Sequence, residues 1–225
     1  MDAKTLEGLK VKVNEDYVLK LQRCGSKPGG RIKEILACEI EEAYHLVQPR
    51  ASWVEVIVKE ITGVVVKLEG GFMLHAGDMA KEWGGSRLLA VAVATIGSAL
   101  EERVDELFAQ RDFAKAMMLD SVGSAAVESV ADDVNYAICQ RAETLGLKTS
   151  PRSSPGYGKW NLTDQRVLLG ATRAYRIGVR LNEQYMMIPR KSVSFAIGIG
   201  SIMVGVEDAT PCRRRCGREG CEYRR

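Results

Sequence analysis

The chain has 225 residues, 46% of them hydrophobic and 27% charged, with a formal net charge of +3. Such values suit one large globular domain or two small ones with a real core. No apolar run approaches the roughly 18 residues of a membrane span, and the opening MDAKTLEGLK lacks the apolar region of a secretory signal, so a cytoplasmic protein is expected.

The charge is unevenly placed. From Pro211 to Arg225 six arginines stand against Glu219 and Glu222, a net of +4, while the other 210 residues carry 26 basic and 27 acidic side chains. The body is therefore almost neutral, which argues against a general nucleic-acid-binding face on it. Residues 1–210 read as one domain, followed by a basic tail, 211–225.

In chain order, residues 11–22 hold short alternating or mixed segments, and GSKPGG (25–30) signals a turn. Arg31 to Gln48 places Ile32, Ile35, Leu36, Ile40, Ala43 and Leu46 near helical spacing, closed by Pro49. Residues 52–68 are rich in Val and Ile, which favours strands. Asp78 to Trp83 suggests a short helix, and RLLAVAVATIG (87–97) a fully buried strand. Ser98 with Glu101 forms a capping-box pattern ahead of a helix to Gln110. A longer helix is expected over Phe113 to Leu145, stopped by Gly146. Its middle is small-sided, and Gly123 inside it predicts the close approach of a neighbour. Thr163 to Arg176 reads as helix, and SVSFAIGIGSIMVGV (192–206) as a glycine-studded strand or pair of strands. The order β, α, β, α, β, α, α, β suits an α+β domain with a twisted, mainly antiparallel sheet flanked by helices.

Six cysteines divide into two sets. Cys24, Cys38 and Cys139 are scattered, and Cys38 and Cys139 sit within helical patterns as expected buried small hydrophobes. Cys212, Cys216 and Cys221 fall within ten residues, which reads as a metal or redox element before a disulfide framework.

The stretch SPRSSPGYGKW (150–160) is the densest turn signal in the chain. Pro155–Gly156 suits the centre of a type II turn, where proline presets φ and glycine takes positive φ. Such a turn would present Arg152 and Tyr157. Arginine offers a planar fork matching a carboxylate, and tyrosine an aromatic face with one hydroxyl.

Arg152, Pro155, Gly156 and Tyr157, followed some thirty residues later by Met187, Pro189, Ser192, Val193 and Ser194, form a paired pattern. The pair resembles the reactivation domain of cobalamin-dependent methionine synthase, and DSVGSAAVE (120–128) resembles that family's small free-standing members. The likeness covers roughly the second half of the chain. It implies a free-standing accessory protein that binds S-adenosylmethionine and caps the cobalamin of a partner, a methyltransferase or corrinoid protein. One electron from a donor such as flavodoxin or ferredoxin, and a methyl group from S-adenosylmethionine, would restore methylcobalamin from the inactive Co(II) state. Carried over by position, Arg152 would hold the ligand's carboxylate. The backbone at Pro155 and Gly156 would line the pocket, and Tyr157, the candidate catalytic residue, would lie near the nucleotide or the corrin. Asp120 or Glu128 would face the ammonium group, with solvated helix positions as their alternative. Phe195 departs from the glycine that commonly follows S-V-S and would alter the pocket rim.

A cobalamin-binding module of that class would present D-x-H-x-x-G. His75 has Met73 and Asp78 at the aspartate and glycine positions, so it reads as an ordinary loop or core histidine. The corrinoid is therefore expected on another polypeptide. In the tail, C-x3-C-x4-C supplies three thiolates, enough for three corners of a four-iron cluster or of a zinc tetrahedron, with the iron–sulfur reading first. Neighbouring arginines favour thiolates and offset a cluster's negative charge. The alternative is a non-catalytic, metal-stabilised module that docks an acidic partner or nucleic acid through this tail.

Overall fold

A computed structural model of the protein describes residues 3–24, 29–157 and 159–201. In chain order these form β1 (Lys4–Glu7), α1 (Glu15–Leu21), α2 (Gly30–Leu46), β2 (Arg50–Thr62), β3 (Val65–Leu68), β4 (Met73–His75), α3 (Met79–Glu82), β5 (Leu88–Thr95), α4 (Ala99–Ala109) and α5 (Phe113–Thr144). There follow β6 (Lys148–Thr149), α6 (Gln165–Thr172), a 3-10 turn at Ala174–Ile177, β7 (Arg180–Leu181), β8 (Met187–Ile188) and β9 (Ser192–Gly200). The expected α+β class holds, with antiparallel pairing throughout the described sheet.

The strand order is β4-β3-β2-β5-β9-β6, and β1 pairs with the first half of β2. Because β2 is 13 residues long, β1 lies along Arg50–Trp53 and β3 along Val58–Thr62 of the same edge. On its other edge β2 meets β5 over Arg50–Ile57. The central strand β5 is covered on both faces, which explains its unbroken apolar sequence. Ala90, Ala92 and Ala94 face the helices α1, α2, α4 and α5, while Leu89, Val91 and Val93 face the opposite side, with α3 and α6.

Small residues on both partners let α5 lie close to the sheet. This helix is 32 residues, roughly 48 Å long, and buries Ser121, Val122, Gly123, Ala125 and Ala126 in sequence. A Cβ on Gly123 would sit 2.6 Å from Leu100 Cδ2 and 3.3 Å from Lys191 Cε. The close approach expected at Gly123 thus comes from a helix neighbour and a lysine stem together.

Several local expectations change. Residues 15–21 form a helix, capped by Asn14, whose side chain accepts from the Tyr17 N–H. Ser98 makes no capping hydrogen bond, its backbone being already helical (φ −97°, ψ −22°), and Glu101 Oε2 accepts the Arg190 backbone N–H at 2.6 Å instead of reaching back. The helix expected through Arg176 breaks at Arg173, which adopts a left-handed conformation (φ 52°) and leads into the 3-10 turn. Cys38 is exposed on α2 and Cys139 half-buried beside Thr149 Oγ1, so neither is a fully buried hydrophobe. The second half of the strand expected over 192–206 lies outside the described residues.

Candidate functional site

The turn at 154–157 has the expected form. Gly156 takes φ 93°, and the Tyr157 N–H reaches back to the Ser154 carbonyl at 3.3 Å, closing a type II turn around Pro155. The Gly156 N–H also donates to the Trp160 carbonyl at 2.9 Å. Trp160 is buried against Trp83, and its Nε1–H donates to Asp164 Oδ2 at 2.9 Å. The same carboxylate accepts the His75 backbone N–H, and the His75 ring lies 3.6 Å from it. His75 ends β4 with its side chain more than half exposed, so it is neither a loop nor a core residue.

Upstream of the turn, Arg152 is pinned between two contacts with β9. Ser153 exchanges backbone hydrogen bonds with Ala196 at 2.9 and 2.8 Å, and the Ser150 N–H donates to the Gly198 carbonyl at 2.8 Å. Pro151 has no N–H to give. The Ser150 hydroxyl oxygen takes the Gly198 N–H at 2.9 Å, so the chain bulges outward and carries Arg152 onto the α5 side. There its guanidinium lies 5.5 Å from the Phe195 ring centroid, a cation–π contact. Phe195 is fully buried and forms a floor under Arg152 rather than the rim expected from the sequence.

Four residues of α5 face this margin: Asp120, Ser124, Glu128 and Asp132. Their spacing of four places them about 6 Å apart along one helix face. Arg152 Nη2 donates to Glu128 Oε2 at 2.6 Å and lies 3.1 Å from Asp132 Oδ1. Two helical turns earlier, Lys191 Nζ pairs with Asp120 Oδ1 at 2.7 Å and donates to Ser124 Oγ at 3.0 Å. Arg152 and Lys191 are only 11% and 12% exposed, so both cations are held in place by acids from one helix.

The pairing of Arg152 is incomplete. Its Nη1 is buried and has no hydrogen-bond partner among the described residues. A guanidinium keeps its charge at any accessible pH, so the buried donor calls for an acceptor oxygen, and a ligand carboxylate supplies one in the right geometry. Between Arg152 and Lys191, the first half of β9 (192–195) has no strand beside it on that edge among the described residues, since β6 reaches only Ile199 and Gly200 and Ser153 bridges to Ala196.

Of the sequence-derived candidates, the structure brings together Arg152 and Glu128. Asp120 lies on the same stripe but is bound to Lys191. Pro155 is buried, and Gly156 is exposed at the turn. Tyr157 is 73% exposed at the end of the turn. Cys212, Cys216 and Cys221 lie outside the described residues. Among those that are described, no three His, Cys, Asp or Glu side chains gather as a metal site, and no helix is long and apolar enough to cross a membrane. Sequence reasoning missed Asp132 and Lys191. The first completes the i, i+4, i+8, i+12 pattern of α5 and was legible by period alone, whereas Lys191 reaches α5 only through the tertiary fold.

No family model matches the chain, and no curated protein does. Among solved structures, the MetH reactivation domain bound to AdoHcy matches with a TM-score of 0.63 over 93% of this chain and 81% of that one, at 13% sequence identity. At that identity the likeness is one of fold. The chain has the fold of a methionine synthase reactivation domain.

Proposed function

We propose that this protein binds S-adenosylmethionine along the α5–β9 margin and supports reductive methylation of cob(II)alamin carried by a partner methyltransferase or corrinoid protein. The observation that carries the reading is the buried Arg152 Nη1, without a hydrogen-bond partner among the described residues, inside a carboxylate-lined margin on this fold. Arg152 would take the ligand's carboxylate with Nη1 while Nη2 stays on Glu128, which keeps the guanidinium plane oriented. Glu128 or Asp120 would then meet the ammonium group, because a zwitterion needs both signs. The rigid turn at Pro155 and Gly156 would line the nucleoside end, with Tyr157 exposed towards the nucleotide or an incoming corrin.

The methyl group would pass from the sulfonium to cobalt reduced by one electron, leaving S-adenosylhomocysteine. Neither the cobalt nor the electron comes from groups recognisable in this chain's body. The corrinoid is assigned to the partner, and the electron to a donor such as flavodoxin or ferredoxin. Cys212, Cys216 and Cys221 are proposed as ligands of an iron–sulfur centre on that electron path; zinc, which is redox-inert, would instead give the same thiolates a purely structural role.

Calorimetric titration of S-adenosylmethionine into the wild type and Arg152→Ala tests the reading. Saturable binding is expected, weakened roughly 100-fold in the variant, the scale of one charge-assisted hydrogen bond made by a buried cation. A folded wild type that takes up no ligand even at millimolar concentration would sink the proposal.

A further inference from the structure

On the other face of the sheet from the Arg152 acids, α6, the 3-10 turn at Ala174–Ile177 and the β7–β8 hairpin form a surface that the ligand reading leaves unused. From Gln165 to the end of β8 at Ile188 the sequence holds Arg166, Arg173, Arg176 and Arg180 against one acidic residue, Glu183. A fifth arginine joins them from β2. The Arg50 guanidinium nitrogens approach within 3.8 Å of the Cβ position of Gly178, between Arg176 and Arg180. None of the five forms an ion pair among the described residues, although Arg152, Arg190 and Lys191 on the opposite margin are all paired.

Aromatic rings are interleaved with these charges. Arg166 lies 5.6 Å from the ring centroid of Tyr185, whose hairpin turn folds back over α6. Tyr175 is 70% exposed between Arg173 and Arg176. Two acids flank the segment: Asp164 is buried on Trp160 and His75 and turned away from this surface, and Glu183, exposed in the β7–β8 turn, is a single carboxylate against five arginines. Arginine and tyrosine are the residues that most often dominate protein–protein binding energies.

We propose that this arginine face docks the acidic surface of a partner protein. The charge distribution favours a protein over a nucleic acid. Outside the tail the chain is net negative, so five cations form a compact patch rather than the extended basic field that a phosphate backbone engages. The inference does not depend on ligand binding at Arg152. Its location on the other face of the sheet leaves the Arg152 margin open while the partner is bound.

The test is an amide-shift titration of the isotope-labelled full chain with poly-L-glutamate at low salt. Shifts are expected at Arg173–Arg180 and Tyr185, vanishing at roughly 0.3 M salt where the screening length is about 6 Å. The variant R173S/R176S/R180S, its spectrum otherwise unchanged, should bind about fivefold or more weakly, the scale of a few partly exposed charge contacts. R213S/R214S/R215S in the tail should leave the α6-face shifts in place. Shifts that survive the first variant, or that disappear with the second, overturn the proposal. Tighter binding of single-stranded DNA of equal charge at these residues overturns it in favour of a nucleic acid.

Discussion

The two sides of the sheet use arginine and lysine in opposite ways. Along α5 and β9, Arg152, Lys191 and Arg190 are each tied to carboxylates, at 2.6, 2.7 and 2.9 Å. Across the sheet, Arg50, Arg166, Arg173, Arg176 and Arg180 have no carboxylate among the described residues. A neutralised cation has little field at a distance but a fixed direction, so what it retains is geometry, here one buried guanidinium nitrogen aimed at an acceptor. An unneutralised cluster has the reverse character. It steers and selects partners by charge and specifies little about atomic position.

A third buried charge, outside both regions, sharpens the contrast. Glu39 on α2 is 1% exposed, and its Oε2 has no partner among the described residues. Burial, with Glu42 beside it, pushes its pKa up to about 7. Unlike the Arg152 guanidinium, a carboxyl escapes the cost of burial by taking a proton. The orphaned Arg152 Nη1 therefore keeps its charge and calls for an acceptor, as does the buried Nε of Arg50 across the sheet, whereas the orphaned Glu39 oxygen is relieved by a proton.

The largest expected stability effect follows from that distinction. The folded pKa of Glu39 lies above its unfolded value, so stability is full below about pH 4.5 and falls as pH rises through 7. Glu39→Gln should remove this slope and stabilise the protein by roughly 2 kcal/mol at pH 8, measured by urea unfolding at pH 5 and 8. An unchanged slope would mean that Glu39 is not the titrating group. Next in size, Lys191→Met keeps the apolar stem over Gly123 but leaves Asp120 without its partner. Because Asp120 is half exposed, the cost should be about 1 kcal/mol or less, read as a small fall in the urea midpoint. The smallest effect is expected from Arg176→Ser on the unpaired face, within about 0.5 kcal/mol of the wild type. A larger loss there would show that the arginine face is structural after all, and would erase the contrast between the two sides.

Much of the fold was legible because its signals are local. Helix α5, strand β5 and the turn at Ser154–Tyr157 all follow from residues within a few positions of one another, and each formed where expected. The failures share a different cause. Ser98 and Glu101 carry a capping-box pattern, yet Glu101 is taken by the backbone of Arg190, 89 positions away. Cys38 sits at an apolar-looking helical position that the fold leaves facing solvent. In the candidate site, Arg152, Glu128 and Asp120 were identifiable as residue types on a turn and a helix. The sequence could not say that Arg152 chooses Glu128 and Asp132 while Asp120 goes to Lys191.

What the sequence by itself determined, then, is the set of elements and the chemistry they carry: the type II turn, the small-sided helix, the acid stripe at a spacing of four, and the basic tail. Those depend on backbone preferences and periodicity, which act over a few residues. Only the tertiary structure decided which charges are paired along α5 and β9, because the pairings of Arg152, Lys191 and Arg190 join residues 20 to 89 positions apart. Whether a cation ends as a fixed donor or as a free field depends on which helix the sheet brings beside it.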